Sequence, residues 1–422
     1  MNTAGIICEY NPFHNGHAAH IDATRRMLGT DAAIVCIMSG NFVQRGDFAV
    51  FNKHARAKAA VLCGADLVIE LPSPYALSSA ERFAAAGVSI LDSLKICSHI
   101  SFGSESGDIT ALARAAEAIV TQKADNVIKE WLDKGIGYAA AQQKAANAVL
   151  GRHADLFLAP NNLLGIEYLK AINASDSSLC PVTVKRTGAA HDSGAGCSAS
   201  AIRNMLSEQT SGQSAACAVF EDRGPGERGN PKEQPPCSPW EYMPPAAAEV
   251  FREEIEAGRG PVTMKKAELA MLSRLRATGD YSKLPDASEG LEYRFARYAA
   301  SEPAVGDVLE KIKTRRYAMS RLRRMLMCAC LGITADDTLI SPPYIRVLAM
   351  NRTGMNLLKA ARSKTTTPVI TKPASAKTMP GRVGELFLKE AAATDFYSLA
   401  YQEESERTGG REWRDSPVVF EE

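Results

Sequence analysis

The sequence predicts an α/β protein: a parallel-sheet, Rossmann-like domain followed by a mostly helical domain. Short, nearly continuous apolar runs alternate with amphipathic stretches through roughly the first 200 residues, the pattern of parallel strands covered by helices on both faces. A segment rich in Ser, Gly, Pro and Glu then interrupts all periodicity at 207–245. Beyond it the spacing is mostly helical as far as residue 401.

Taken in order, the apolar runs place strands at 4–9, 32–38, 66–71, 96–102 and 181–185, with helices at 16–28, 53–62, 80–91 and 109–119 between them. In an open sheet of this type a ligand sits beyond the carboxyl ends of the strands. Helical spacing resumes at 251–257, 264–278, 292–300, 305–331, 343–362 and 383–400. The expected organisation is an α/β domain at 1–205, a linker or mobile loop at 206–245, a helical domain at 246–405 and a loose polar tail at 406–422. Two domains also suit a chain of 422 residues. The linker contains G-x-G-x-x-G at 224–229, but Pro225 sits in it and neither strand nor helix flanks it, so it reads as loop.

Lys plus Arg total 49 and Asp plus Glu 48, a formal charge of +1. That excludes a uniformly basic nucleic-acid coat and leaves room for a local patch. With 45% hydrophobic and 23% charged residues the chain is globular rather than disordered. No run approaches the ~18–20 apolar residues of a membrane helix, and residues 1–10 have no basic leader. Of ten cysteines, Cys8, Cys36, Cys63 and Cys97 lie in apolar stretches, while Cys328 and Cys330 lack a second pair at zinc spacing. The expectation is a reduced, cytoplasmic protein without a metal site or a membrane segment.

Directly after the first strand stands Glu9-Tyr10-Asn11-Pro12-Phe13-His14-Asn15-Gly16-His17. Its H-x-G-H core puts His14 and His17 three residues apart at a loop-to-helix junction, where both can face one cavity. The helix start offers free N–H groups and partial positive charge to a phosphate. Gly16 lets a base or phosphate approach the backbone, and imidazole N–H groups can stabilise charge that builds on phosphorus. Competing readings of His14, His17 and His20 are a metal cluster, with no obvious carboxylate or cysteine partner nearby, and an exposed polar turn. A second element, Ser198-Ala199-Ser200-Ala201-Ile202-Arg203, is a serine-rich turn entering a helix. Ser198, Ser200 and Arg203 can hold triphosphate oxygens from the side opposite the histidines, or the serines simply cap the helix.

These segments resemble the nucleotidyltransferase superfamily that includes class I aminoacyl-tRNA synthetases and, more closely, the bacterial tRNA(Met) cytidine acetate ligases. The landmarks are G-I-I-C-E-Y-N-P-F-H-N-G-H (5–17), M-S-G-N-F-V-Q-R-G (38–46), D-L-V-I-E-L-P (66–72), F-G-S-E (102–105), P-N-N-L-L-G (160–165) and V-K-R (184–186). The helical part matches more loosely, through E-G-L-E (289–292), R-R-Y (315–317), S-R-L-R-R-M-L (320–326) and Y-I-R-V-L (344–348). The resemblance implies an ATP site made by Ile7, Cys8, Glu9, Tyr10, Asn11, Pro12, Phe13, His14, Asn15, Gly16, His17 and His20, with Gly103, Asn161 or Asn162, and Arg186. Without it, these last positions read equally as a turn glycine, a capping asparagine and a surface arginine. Ser39, Asn41, Gln44 and Arg45 would line an acetate or cytidine pocket, or form a polar loop over the site.

The activity so implied is attack of acetate on the α-phosphate of ATP, with His14 and His17 as catalytic residues. Acetyl-adenylate and pyrophosphate form, and the acetyl group then passes to the wobble cytidine of elongator tRNA(Met), giving N4-acetylcytidine. Mg2+ would accompany ATP, although no dedicated carboxylate set stands out. Residues 311–324 hold seven basic residues and no acidic one. They are expected to form one helix contacting tRNA phosphates through Lys313, Arg315, Arg316, Arg321, Arg323 and Arg324, with a solvated face as the alternative. Two rival functions share the motif: an adenylyltransferase that builds a small-molecule cofactor, and a tRNA-binding protein that only senses ATP.

Overall fold

Apolar runs with no polar face must be covered on both sides, and here they form the centre of one sheet. The computed structural model describes residues 2–186, 198–210 and 238–421. Its strands are β1 (Thr3–Cys8), β2 (Ala33–Ser39), β3 (Phe42–Val43), β4 (Asp47–Phe48), β5 (Leu67–Leu71), β6 (His99–Ser104), β7 (Cys180–Lys185), β8 (Ile345–Met350), β9 (Val369–Ile370) and β10 (Val418–Val419). The main sheet runs β10-β8-β5-β2-β1-β6-β7, with β9 on β8, and β3 and β4 form a separate hairpin. Strands β5, β2, β1, β6 and β7 are parallel, and β8 enters antiparallel to β5. Because β2 lies on one side of β1 and β6 on the other, the strand order reverses between β1 and β6. That switch point opens a crevice at the carboxyl edge.

The helices are α1 (Asn15–Leu28), α2 (Lys53–Leu62), α3 (Ser73–Ala76), α4 (Ala80–Ser93), α5 (Ile109–Ile119), α6 (Gln122–Asp133), α7 (Tyr138–Leu150) and α8 (Pro160–Ala174). There follow α9 (Ala199–Thr210), α10 (Pro245–Glu256), α11 (Glu268–Ala277), α12 (Leu291–Ser301), α13 (Val305–Ile312), α14 (Met319–Leu331), α15 (Arg352–Arg362), α16 (Arg382–Ser398) and α17 (Arg411–Arg414). One sheet face packs Ile6, Cys36 and Val68 against α1, α2, α9 and α10. The other packs Ile7, Val35 and Ile69 against α4, α5, α8 and α15. A third core joins α11 to α14 with the end of α16, and Phe42 and Phe48 of the β3–β4 hairpin plug into it.

The α/β expectation holds, and four details differ. Residues 343–362 read as one helix, yet 345–350 form β8, because a fully buried apolar run carries no period from which helix and strand can be told apart. Residues 305–331 break into α13 and α14 around 313–318. Residues 206–210 of the expected linker continue α9, and 239–242 and 245–256 are already helical; the G-x-G-x-x-G look-alike lies outside the described residues. Finally, the chain beyond 403 is ordered, since α17 packs against α16 and β10 pairs with β8. The sheet therefore takes three strands from beyond the expected domain boundary.

A buried charge cluster fixes that return. Lys53, Glu70, Arg346, Glu390 and Glu412 are each at most 2% exposed. Lys53 Nζ lies 2.7 Å from Glu70 Oε1 and 2.5 Å from Glu412 Oε2, while Arg346 Nε reaches Glu412 Oε1 at 3.5 Å. Glu390 accepts the Ser73 N–H and, at 2.9 Å, its hydroxyl. Burial, reinforced by the Glu70 charge, pushes the Glu390 carboxyl up to about 8. Protonated Glu390 leaves two cations facing two carboxylates, a balanced set.

Removing one partner of a buried pair leaves an uncompensated charge, at a cost on the order of 3–5 kcal/mol. Lys53→Met should lower unfolding stability by about that amount, read as a drop in the urea midpoint; an unchanged midpoint would show that the cluster does not hold the C-terminal return. Glu390 gives a pH test. Its folded value of about 8 stands above the ordinary carboxyl value. The folded chain therefore keeps a proton that the unfolded chain loses, and this contribution is full at low pH and declines as pH rises towards 8. Glu390→Gln, which keeps one acceptor and one donor, should flatten that decline, so its melting temperature gains on the wild type between about pH 5 and pH 9.

Candidate nucleotide site

At the switch point β1 ends and the chain turns through Glu9–Phe13 into α1. His14 is the N-cap of α1, and its Nδ1 accepts the Gly16 N–H at 3.0 Å. The His14 N–H in turn donates to Nδ1 of His17 at 3.2 Å, closing a reciprocal capping box built from two imidazoles. With both Nδ1 atoms accepting, each neutral ring carries its proton on Nε2. The sequence thus fixes two neighbouring N–H donors, their ring centroids 3.8 Å apart and their planes tilted by 31°. A Cβ at Gly16 would stand 2.8 Å from His14 Cε1, so the glycine makes room for the capping ring.

Both rings are neutral at physiological pH. Burial, then Arg186 and Arg203, brings His14 down to about 4, and burial, His14 and Arg186 hold His17 well below its ordinary value. His20 is also lowered to about 4 by burial and Arg186. Its Nε2 meets Ser101 Oγ at 3.1 Å, and Ser101 Oγ lies 2.7 Å from Thr24 Oγ1, which donates to the His20 carbonyl. That chain leaves the Ser101 proton for Thr24, so His20 donates to Ser101 and is engaged with β6.

Arg186 follows β7, its N–H held by the Ser104 carbonyl, and its stem lies over Gly103, where a Cβ would be 3.2 Å from Arg186 Cγ. Arg203 donates to the Asn11 carbonyl at 2.7 Å and to Ser200 Oγ at 2.9 Å. Ser198 Oγ accepts the Ala201 N–H, the helix-cap reading. His14, His17, Gly103, Arg186 and Arg203 therefore converge on one crevice from β1, β6, β7 and α9.

Other expected site residues have structural partners instead. Tyr10, Asn11 and Phe13 are buried, with Tyr10 Oη 3.4 Å from Cys36 Sγ and Asn11 Oδ1 accepting the Val50 N–H. Pro12 is buried as well, Ile7 and Cys8 complete β1, and Asn15 donates to the Glu241 carbonyl. Both asparagines of α8 serve the loop after β6. Glu105 accepts both N–H groups and the Asn161 amide, and Asn162 Oδ1 accepts the Ser106 N–H. Ser39 is wholly buried, and Asn41 is a strut between the Lys53 N–H and Thr394 Oγ1. Gln44 donates to Glu9 Oε1 and to the Ser78 carbonyl, leaving Arg45 as the exposed member of that loop.

Sequence reasoning missed Arg56. It is fully buried on α2 and donates to the carbonyls of Glu9, Ser39, Gly40 and Phe51, tying together the loops after β1 and β2. A charged residue among Ala55, Ala57, Ala59 and Ala60 was the available signal.

The basic segment is not one stripe. Arg316 and Arg321 pair with Glu289, Arg324 with Asp286, and Arg323 with Asp47. Lys313 donates to the Tyr317 carbonyl, and Arg324 is only 9% exposed. Lys311 and Arg315 are exposed and have no ion pair among the described residues. The start of α14 abuts Gly46, whose φ of +75° and contact with the Arg323–Arg324 backbone both demand glycine. A cavity of about 240 Å³ between α2, α10 and the C-terminal segment contains Lys58, Glu253, Glu254 and Arg259, which pair with one another and so offer no excess charge to a phosphate.

The HIGH Nucleotidyl Transferase family model matches residues 1–412. The chain is 37% identical to the tRNA(Met) cytidine acetate ligase of Caldicellulosiruptor saccharolyticus, over 96% of this chain and 95% of that one. It is 34% identical to the enzyme of the same name from Acetivibrio thermocellus over the full length of both. The structure superposes on Thermotoga maritima TmcAL bound with alpha-thio ATP with a TM-score of 0.86 and 29% identity, covering 100% of both chains. The chain belongs to the HIGH nucleotidyl transferases and, among them, to the tRNA(Met) cytidine acetate ligase family.

Proposed function

We propose that this chain activates acetate with ATP and transfers the acetyl group to a cytidine of tRNA, the wobble cytidine of elongator tRNA(Met). The observation that carries the reading is the pair of Nε2–H donors fixed at the start of α1. Acetate is ionised at neutral pH and needs no base. Its oxygen attacks the α-phosphate, the bond to the β-phosphate oxygen breaks, and pyrophosphate leaves. His14 and His17 donate to the phosphate oxygens as charge builds, and they need no reorganisation to do so. Arg186 and Arg203 flank them and add positive charge that the neutral rings lack. Ile7 to Phe13 shape the floor of the ATP site, and Gly103 leaves room for the Arg186 stem beside it.

Among the described residues no group of three or more His, Cys, Asp or Glu side chains could hold a metal ion. Mg2+ therefore arrives on the ATP phosphates in this reading. Among the same residues no helix is long and apolar enough to cross a membrane. We place the reaction in the cytoplasm, where tRNA is. The tRNA backbone is taken to lie along Lys311, Arg315 and the rim of α14, beside the hairpin that borders the crevice.

Loss of one preorganised donor typically costs ~10²–10³ in rate. His17→Ala should therefore reduce acetate-dependent ATP–pyrophosphate exchange by that factor while circular dichroism stays that of the wild type. Wild-type exchange in the folded variant would remove the H-x-G-H from the chemistry. The RNA surface has its own test. Lys311→Glu with Arg315→Glu, both exposed and without an ion pair among the described residues, should weaken tRNA binding and flatten its salt dependence by roughly 0.7–0.9 of a log–log unit per lost phosphate contact. An unchanged slope in filter-binding titrations would place the RNA elsewhere.

A further inference from the structure

The second half of the proposed reaction sets a demand that the first does not. Acetate has no proton to lose, but an attacking amine must shed one. The histidines of the crevice cannot take it: Nδ1 of His14 and of His17 already accepts a backbone N–H, and His20 donates to Ser101. Asp47, at the rim, accepts the Phe48 N–H and lies 3.9 Å from Arg323.

Glu9 is placed differently. It follows β1 at the carboxyl edge, and its backbone is held by Arg56, which donates to its carbonyl at 2.6 Å. One carboxylate oxygen, Oε1, accepts the Gln44 N–H at 2.7 Å. Arg203, Arg45 and Arg56 act on the carboxyl electrostatically, yet no ion pair joins it to any of them among the described residues. Burial raises this carboxyl above its ordinary range and the arginines oppose that rise, which suits a group that must first accept a proton and then release it. Its position is the second argument. Arg203 acts electrostatically on His14, Glu9 and Asp47, and it donates to the Asn11 carbonyl two residues beyond Glu9. The loop whose Gln44 N–H holds Glu9 reaches the Arg323–Arg324 backbone of α14 through Gly46, so Glu9 sits between the start of α1 and the helix whose rim is proposed to meet tRNA. A carboxylate is also the side chain that pairs with the exocyclic amine of cytosine.

We propose that Glu9 receives the exocyclic amine of the acceptor cytidine and takes its proton during acetyl transfer; this rests on the ligase reading above. The N4 lone pair attacks the carbonyl carbon of acetyl-adenylate, forming the C–N bond. The bond from that carbon to the phosphate oxygen breaks, and AMP leaves with the electron pair. The proton from N4 passes to the Glu9 carboxylate and from there to water.

The two half-reactions have separate readouts: acetate-dependent ATP–pyrophosphate exchange without tRNA, and transfer of labelled acetate to an unmodified elongator tRNA(Met) transcript. Glu9→Gln keeps the acceptor for the Gln44 N–H but removes the base. It should lower transfer at least about 100-fold more than it lowers exchange. Undiminished transfer in Glu9→Gln beside normal wild-type exchange overturns the role of Glu9 alone. A wild-type chain without acetate-dependent exchange removes the ligase reading and this role with it. If Glu9→Gln disturbs the fold, both readouts fall together, and Glu9→Asp decides. That variant keeps the charge and draws the carboxylate back, so transfer reduced more than exchange upholds the proposal, and equal reduction overturns it.

Discussion

A lysine ammonium with no water around it must be matched by carboxylates, and that constraint shapes this chain. Lys53 begins α2 at the carboxyl edge of the sheet and takes one partner from β5 and another from α17, near the end of the sequence. Arg346 of β8 shares Glu412, so the sheet extension and the C-terminal return are fixed by one side chain. Such clusters contribute little net stability compared with apolar packing, but they tolerate only one arrangement of partners. The arrangement chosen here draws α16 and its attached helical layer against the β3–β4 hairpin, where Tyr397 donates to the Ala49 carbonyl. The helical layer is thereby seated beside the crevice rather than tethered by a linker.

A second constraint acts at the carboxyl edge, where strand carbonyls converge with few N–H groups to meet them. Arg56 supplies the missing donors from below, and His14 and His17 arrange donors above. The motif histidines therefore do two jobs with different nitrogens. Nδ1 satisfies the start of α1, and Nε2 keeps the proton. A protonated imidazole would lose the Nδ1 acceptor and the cap together, which agrees with the low proton affinity that burial and the arginines impose. Positive charge comes instead from guanidinium groups that never titrate in this range.

Much of the first half was legible because its signals are local. Apolar runs at 32–38 and 66–71 and the amphipathic run at 53–62 need no distant information, and the structure follows them closely. The failures share a physical cause, which is a partner far away in sequence. Residues 345–350 become a strand because β5, far away in sequence, offers an edge. The tail looked loose because Glu412 reads as polar until Lys53 is known to be buried beside it. At the site, H-x-G-H was legible as a motif, whereas the partners of the nearby amides were not: Asn41 donates to Thr394, Asn161 donates to Glu105, and Asn162 Oδ1 accepts the Ser106 N–H. The basic run at 311–324 looked unneutralised because its acids, Asp286 and Glu289, lie in another segment.

The two half-reactions make opposite demands on one crevice, and different side chains meet each of them. Forming an acyl-phosphate needs donors that face phosphorus and no competing base, since a base would activate water as readily as it orients acetate. Using the intermediate needs an acceptor for a proton, set where the amine enters and away from the phosphates. His14 and His17 offer only N–H, while Glu9 offers only oxygen, and Arg203 stands between them as a charge that both groups feel. Gln44 from the loop after β2 fixes one Glu9 oxygen, and the next residues of that loop pack against α14. The loop that positions the acceptor group therefore also contacts α14, whose rim we propose to lie beside the RNA. In that arrangement, seating of the RNA and placement of its base are set by one short stretch of chain, and the water-sensitive intermediate meets an amine rather than an open carboxylate.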